Sequence, residues 1–147
     1  MVNEFSRAAI LRVGKKSGKQ FNRILANSSL VGDPAWFDRD QFPWMKTLED
    51  SWEIVRREAE GILEARDLLP AIHEISPDHD RLSNDGTWKA FFFYGYGSRF
   101  DRSCAHCLET AKLLDSVPNL SSAFLSILAP GSHLPPHRGP TKAIITW

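Results

Sequence analysis

Two histidines, His133 and His137, have the i, i+4 spacing that binds a metal ion from one face of a helix. Pro135 and Pro136 lie between them, and prolines interrupt a helix, so this segment is predicted to be extended. In an extended chain, positions four apart lie about 13 Å from each other at a rise of ~3.3 Å per residue. The sequence therefore predicts that at most one of the two histidines binds a given metal ion.

Cys104 and Cys107 form a Cys-x-x-Cys pair, which is typical of thiol redox centres and of half a zinc site. A zinc site needs two further ligands at similar spacing, and the chain has only two cysteines. A thioredoxin-type pair follows a strand in an alternating βαβ pattern, which this sequence lacks. We therefore favour two small, partly buried thiols at a helix start. The alternative, a redox pair, requires an exposed thiolate of low pKa.

The segments that must position these residues predict an α+β fold. An apolar residue recurs every three or four positions over residues 48–62, which predicts one face of a helix, and Thr47 with Asp50 resembles a capping box at its start. Residues 88–94 predict a strand by aromatic content, residues 105–115 a short helix, and residues 122–129 a strand buried on both sides. A helical front half followed by short strands is typical of the α+β class.

The charges balance overall, with 18 Lys and Arg against 18 Asp and Glu, but residues 1–30 carry six basic residues against Glu4 alone. We interpret residues 1–30 as a basic lead-in to one domain, residues 31–147. A basic arm can bind nucleic acid or an anionic membrane surface. Only Phe5 and Phe21 flank these charges, however, which is too few to stack bases, so no nucleic-acid partner is predicted.

No stretch approaches the ~18 uninterrupted apolar residues of a membrane span, so no transmembrane segment is predicted. Charges break up any apolar run near the N-terminus, which does not resemble a signal peptide. Two cysteines cannot form a disulfide framework. Together these features predict a cytoplasmic protein.

Residues 124–141 resemble the aspartyl/asparaginyl β-hydroxylase family of iron- and 2-oxoglutarate-dependent oxygenases. The match consists of a strand with a serine, a Pro-Gly turn and a Pro-x-His-x-Gly-Pro-Thr motif. Upstream motifs agree in order: Phe-Pro-Trp at 42–44, Ser-Pro-Asp-His-Asp at 76–80 and Gly-x-Trp-Lys at 86–89. The resemblance covers residues 33–147.

The resemblance implies a double-stranded β-helix, or jelly roll, with helices packed on one sheet. It also implies Fe(II), 2-oxoglutarate as cosubstrate, and hydroxylation of an Asp/Asn-type or related substrate, whether small molecule, peptide or lipid. By position, His137 resembles the first iron-binding histidine, Ser126 the hydroxyl that binds a 2-oxoglutarate carboxylate, and Trp88 a tryptophan of the cosubstrate cavity. Lys142 is the nearest cation to the position of the family's arginine.

Gly139 stands two residues after His137, where many iron oxygenases have a carboxylate ligand. The family that this chain resembles also lacks that carboxylate and binds iron through two histidines. A jelly roll needs eight strands, whereas residues 88–147 offer about four. We therefore expect a fragment with half of the barrel and one of the two iron histidines.

The alternative is a non-catalytic binding or scaffold protein derived from the same fold. The apolar strand edge at residues 143–147 would then need a partner strand, since an uncovered edge promotes aggregation. A homo-oligomer formed through that edge is one way to cover it.

Overall fold

The computed structural model describes residues 18, 20–32, 34–75, 79, 82–137, 144 and 146. The chain divides into two compact units, one of residues 1–38 with 137–147 and the other of residues 39–136. In the first unit, residues 20–27 form a helix, α1. The second unit contains the sheet and the remaining described helices.

The helices of the second unit come before the sheet and between its strands. They are α2 (Pro43–Asp50), α3 (Trp52–Glu64), α4 (Ile72–Ile75), α5 (Asp101–His106) and α6 (Leu108–Asp115), with short 3-10 turns at Arg39–Gln41 and Arg66–Leu68. In the described part of the chain, no helix has the length and apolar character needed to cross a bilayer.

The helix predicted over residues 48–62 is present as two helices that meet at Ser51. The prediction that it begins at a capping box is wrong, because Thr47 lies inside α2, which begins at Pro43 without a side-chain cap. Proline is favourable at the first helical position, where its missing N–H would have no partner in any case. Trp52 is one of the apolar residues whose spacing over residues 48–62 predicts a single helix face, yet it is exposed.

The strands form an antiparallel sheet in the order β2-β1-β3, where β1 is Trp88–Gly95, β2 is Ser98–Arg99 and β3 is Ala123–Leu128. A two-residue turn joins β1 to β2, and both of its residues, Tyr96 and Gly97, have positive φ as such a tight hairpin requires. The described residues therefore confirm the predicted α+β class.

One face of the sheet packs against the helices. Phe93 lies in a buried cluster with Cys104, Cys107 and Ala111, and Leu125 packs against the same cluster from β3. The opposite face, here called the open face, contains side chains from both long strands: Trp88, Ala90, Phe92, Phe124, Ser126 and Leu128.

The open face is only partly covered by the described residues. Leu82 and Leu134 pack beside Trp88 and Ala90, while Phe124 and Leu128 are 40% and 41% exposed. The prediction that the second strand is buried on both sides is therefore wrong for this part of the chain. Burial alternates along β3, because helices cover one of its faces and, within the part of the chain that the structure describes, no layer of comparable extent covers the other.

Glu58 on α3 stabilises the start of α6. Its two carboxylate oxygens accept hydrogen bonds from the backbone N–H groups of Glu109, at 3.0 Å, and Thr110, at 2.7 Å. Such N–H groups have no partner within their own helix, and the helix terminus favours negative charge. Burial raises the pKa of Glu58, but the hydrogen bonds outweigh it and the pKa lies below the ordinary value of 4.5. The carboxylate thus ties α3 to α6 on the helical side of the sheet.

We predict that Glu58→Gln lowers the free energy of unfolding by about 1 kcal/mol at pH 7, because the helix loses its charged cap. Since the folded-state pKa is lowered, this contribution is present above pH 4.5 and is lost as the pH falls through the folded-state pKa. Urea unfolding at a series of pH values measures it. Glu64→Gln, at the far end of α3, is the matched control. Equal effects of the two substitutions, or a Glu58→Gln effect that persists in acid, would contradict the cap.

Candidate functional site

Trp88 and Ser126 meet on the open face. In the register of β1 with β3, Trp88 lies opposite Leu128 and Ala90 lies opposite Ser126. Trp88 and Ser126 are therefore diagonal neighbours, a separation that a long aromatic side chain can span. The indole Nε1–H donates a hydrogen bond of 2.9 Å to Ser126 Oγ. The structure thus joins two of the residues that the sequence singled out.

The hydrogen bond gives the serine hydroxyl a defined role. Trp88 is 6% exposed, whereas Ser126 is exposed. Because Ser126 Oγ accepts from the indole, its own proton is directed elsewhere and can be donated to a ligand on the open face. A carboxylate is the type of acceptor that makes the strongest hydrogen bond with such a donor. The pair therefore fits the binding of an anionic group.

The surroundings of this hydroxyl are aromatic and apolar. The His79 ring stands edge-on to the Trp88 indole, with ring centroids 5.4 Å apart and an interplanar angle of 81°. Phe92 stacks on Phe124 at 4.7 Å and 24°. A few polar groups in apolar surroundings are typical of small-molecule sites. Sequence reasoning missed His79 and both phenylalanines as site residues, although His79 lies in the Ser-Pro-Asp-His-Asp motif.

The two histidines with i, i+4 spacing lie in a segment without helix, as their prolines predicted. His133 belongs to the second unit and His137 to the first, and both are exposed. The assignment of His137 as an iron ligand stays a prediction. Lys142, the predicted cation for 2-oxoglutarate, lies outside the described residues.

An iron site can be tested against the ligands that are present. Among the described residues, no group of three His, Cys, Asp or Glu side chains is placed to hold a metal ion. His137 offers one imidazole, which suits Fe(II). The role of His137 and the expectation of one iron histidine in this chain therefore stay predictions.

A separate open cavity of about 660 Å³ lies near Lys89, Asp85 and His73 and includes neither Trp88 nor Ser126 in its lining. Its polar groups are largely engaged already. Lys89 Nζ donates to the backbone carbonyls of Asp67 and Leu69, and Asp85 accepts from the backbone N–H and the hydroxyl of Thr87. The Trp88–Ser126 pair therefore remains the candidate site.

The structure argues against the thiol redox alternative. Cys104 and Cys107 are both free, and they are 1% and 0% exposed. Burial raises the pKa of both thiols, that of Cys107 to about 11. A redox centre needs an exposed thiolate of low pKa, which is the opposite combination. The expectation of partly buried thiols at one helix start is also corrected, since both are fully buried, Cys104 within α5 and Cys107 between α5 and α6.

We predict that iodoacetamide at pH 8 alkylates both native cysteines at least ~100-fold more slowly than in urea, because buried thiols react only through opening of the structure. Mass spectrometry of quenched samples follows the reaction. Ala105→Cys, an exposed position between the two on α5, provides the matched control and should react rapidly in the folded state. Fast native alkylation of Cys104 or Cys107 would revive the redox alternative.

Comparison with known proteins assigns a family to this chain. The aspartyl/asparaginyl β-hydroxylase family profile matches residues 49–147, which include Trp88 and Ser126. The chain is 35% identical over 115 residues to the ornithine lipid ester-linked acyl 2-hydroxylase of Rhizobium tropici, covering 78% of this chain and 41% of that protein. It is 28% identical over 130 residues to the human aspartyl/asparaginyl β-hydroxylase, covering 83% of this chain and 16% of that protein.

The mouse protein of the same name is 26% identical over 130 residues, covering 83% of this chain and 17% of that protein. The chain thus spans less than half the length of the curated relatives it matches. No solved structure matches it. On the extent of the profile match, this chain belongs to the aspartyl/asparaginyl β-hydroxylase family.

Proposed function

We propose that the protein is an Fe(II)- and 2-oxoglutarate-dependent hydroxylase in which Ser126 binds a carboxylate of 2-oxoglutarate. Family membership supports hydroxylation. The observation that carries the cosubstrate is the 2.9 Å hydrogen bond from Trp88 Nε1 to Ser126 Oγ, since it leaves the hydroxyl proton for an anionic acceptor. On the resemblance alone, Lys142 is the cation that we propose for 2-oxoglutarate.

Iron completes the proposal. His137 would bind Fe(II), together with the second histidine that the resemblance implies, within the jelly roll that it also implies. The bound iron would supply the O₂ chemistry that amino-acid side chains cannot perform. The reaction balances as follows: 2-oxoglutarate, O₂ and a substrate C–H group become succinate, CO₂ and a C–OH group. One oxygen atom of O₂ enters succinate and the other enters the C–OH group.

The substrate we propose is an acyl chain of a lipid. The relative with 35% identity is named as an acyl 2-hydroxylase of a lipid. The open face agrees with such a substrate, because Phe92, Phe124 and Leu128 surround Ser126 with apolar surface that an acyl chain could cover. The second candidate is an Asp/Asn side chain in a peptide, which the names of the human and mouse relatives favour.

We predict that His137→Ala lowers succinate formation from 2-oxoglutarate at least ~100-fold, because loss of an iron ligand costs more than the ~10–100-fold that loss of a supporting residue costs. His133→Ala, four residues earlier in the same extended segment, should keep the turnover of the unmodified protein. The unmodified protein and both variants are purified from the natural source, and the succinate that each forms is quantified by mass spectrometry. Undiminished turnover in His137→Ala, or equal loss in both variants, would overturn the iron assignment. No turnover in the unmodified protein would favour the non-catalytic alternative.

For the cosubstrate, we predict that Ser126→Ala raises the KM for 2-oxoglutarate about tenfold, because a hydrogen bond to a charged group contributes about 1.5–3 kcal/mol. The KM for the organic substrate should change little. Ser132→Ala, in the turn after β3, is the matched control. An unchanged KM for 2-oxoglutarate in Ser126→Ala would remove Ser126 from the cosubstrate site.

The substrate class is tested by offering the protein an acylated ornithine lipid and an Asp-containing peptide in parallel. We expect the lipid alone to gain one oxygen atom, detected by mass spectrometry of the products. Leu128→Asn should raise the KM for the lipid several-fold and leave the KM for 2-oxoglutarate unchanged, because it removes apolar surface beside Ser126. Oxygen transfer to the peptide alone would establish the second candidate.

A further inference from the structure

We infer that His79 is a positioning residue for the cosubstrate site: its ring holds the Trp88 indole in the orientation that keeps Nε1 bonded to Ser126 Oγ. This inference rests on the proposed role of Ser126 in binding 2-oxoglutarate. Among the hydrogen bonds of the described residues, none joins His79 to Ser126. His79 is also not one of the residues predicted to bind iron or 2-oxoglutarate.

The contact between the two rings is the first observation. The His79 and Trp88 centroids are 5.4 Å apart and the rings are almost perpendicular, at 81°. Edge-to-face packing favours one relative orientation of two aromatic rings, because the positive edge of one lies against the negative face of the other. The indole is therefore held by its hydrogen bond to Ser126, by packing against His79 and by the buried cluster to which it belongs.

The backbone around His79 is tied to the same place. The His79 carbonyl accepts hydrogen bonds from the backbone N–H groups of Leu82, at 2.8 Å, and Ser83, at 3.1 Å. The Leu82 side chain packs against the buried cluster of Ile72, Trp88 and Ala90. The turn that presents the imidazole is thus anchored to the strand that presents the indole.

The hydrogen bonding of the imidazole points the same way. His79 Nδ1 is buried and has no hydrogen-bond partner among the described residues. A buried polar atom without a partner is unfavourable and rare in folded proteins, so it calls for a reason. For His79, packing against Trp88 is the contact that the buried ring makes in place of that hydrogen bond. His73 has the same buried, unpartnered Nδ1, but its side chain lines the separate cavity beside Lys89, which makes it a matched control.

Loss of the His79 ring would act on Ser126 through Trp88. With one contact of the indole lost, its Nε1–H is held less firmly toward Ser126 Oγ, and the direction of the serine hydroxyl toward a carboxylate is less well defined. A preorganised donor binds more tightly than a mobile one. We therefore expect weaker 2-oxoglutarate binding, with the effect confined to the cosubstrate.

The experiment compares His79→Ala, His79→Phe and His73→Ala in the full protein. The first readout needs no ligand: hydrogen exchange of the Trp88 Nε1–H, followed by ¹⁵N NMR. The second is the dissociation constant of 2-oxoglutarate, measured by calorimetry without oxygen. We expect His79→Ala to speed indole exchange at least ~10-fold and to weaken 2-oxoglutarate binding about 3–10-fold, as loss of one aromatic contact predicts. His79→Phe keeps the edge-to-face contact and should restore both values, while His73→Ala should change neither.

The outcomes separate this inference from the proposed function. Unchanged indole exchange in His79→Ala overturns the inference, as does a His73→Ala effect of equal size. Faster exchange with unchanged 2-oxoglutarate binding also overturns it. After any of these outcomes, Ser126→Ala still tests the cosubstrate site. An unchanged KM for 2-oxoglutarate in that variant would remove the proposed role of Ser126 itself. If His79→Ala does not fold, His79→Phe and His79→Leu, which fills the space without an aromatic ring, give the same comparison.

Discussion

The antiparallel pairing of β1 with β3 is the interaction on which the candidate site depends. Its register places Ala90 opposite Ser126 and brings Trp88 within hydrogen-bond distance of the serine. A shift of one residue would turn every side chain of β3 to the other face, and Ser126 would then point at the helices. Backbone hydrogen bonds just outside both ends of the pairing support it, from Gly97 to Ser121 at 2.7 Å and from Ala129 to Thr87 at 2.9 Å.

The helical side of the sheet is what makes this register favourable. Phe93 packs with the two cysteines and Ala111, and Leu125 packs against them from the neighbouring strand. A register that removed Leu125 from this cluster would expose apolar surface to water and lose its burial energy. The cysteines thus act as small apolar side chains in the core, and the motif that resembles a redox pair has a packing role instead.

The open face has a different character. Its side chains are mostly apolar, yet the hydroxyl of Ser126 lies among them and is oriented by a buried indole. A single polar group in such surroundings contributes specificity, and a ligand that covers the apolar residues around it would exclude water and strengthen its hydrogen bonds. The open face contains Ser126 of the family motif, and both the proposed cosubstrate and the proposed acyl substrate would bind there.

The sequence by itself determined the α+β class, the approximate places of the helices and strands, and the family. Local patterns suffice for these: the 3.6-residue period before residue 64, the aromatic run of β1, and the motif around Ser126 and His137. The same patterns failed where a neighbouring segment mattered. The break at Ser51, the full burial of Cys104 and the exposure of one face of β3 depend on what packs against them, which no local period reports.

Only the tertiary structure decided which residues share a site. Trp88 and Ser126 are 38 positions apart in the sequence, and their hydrogen bond exists because two strands pair in one particular register. His79 joins them through a turn whose sequence, rich in turn-forming residues, predicts a loop and nothing about what its imidazole contacts. The sequence specifies the chemistry of each side chain. The distance between two groups depends on packing, which brings together residues that are far apart along the chain.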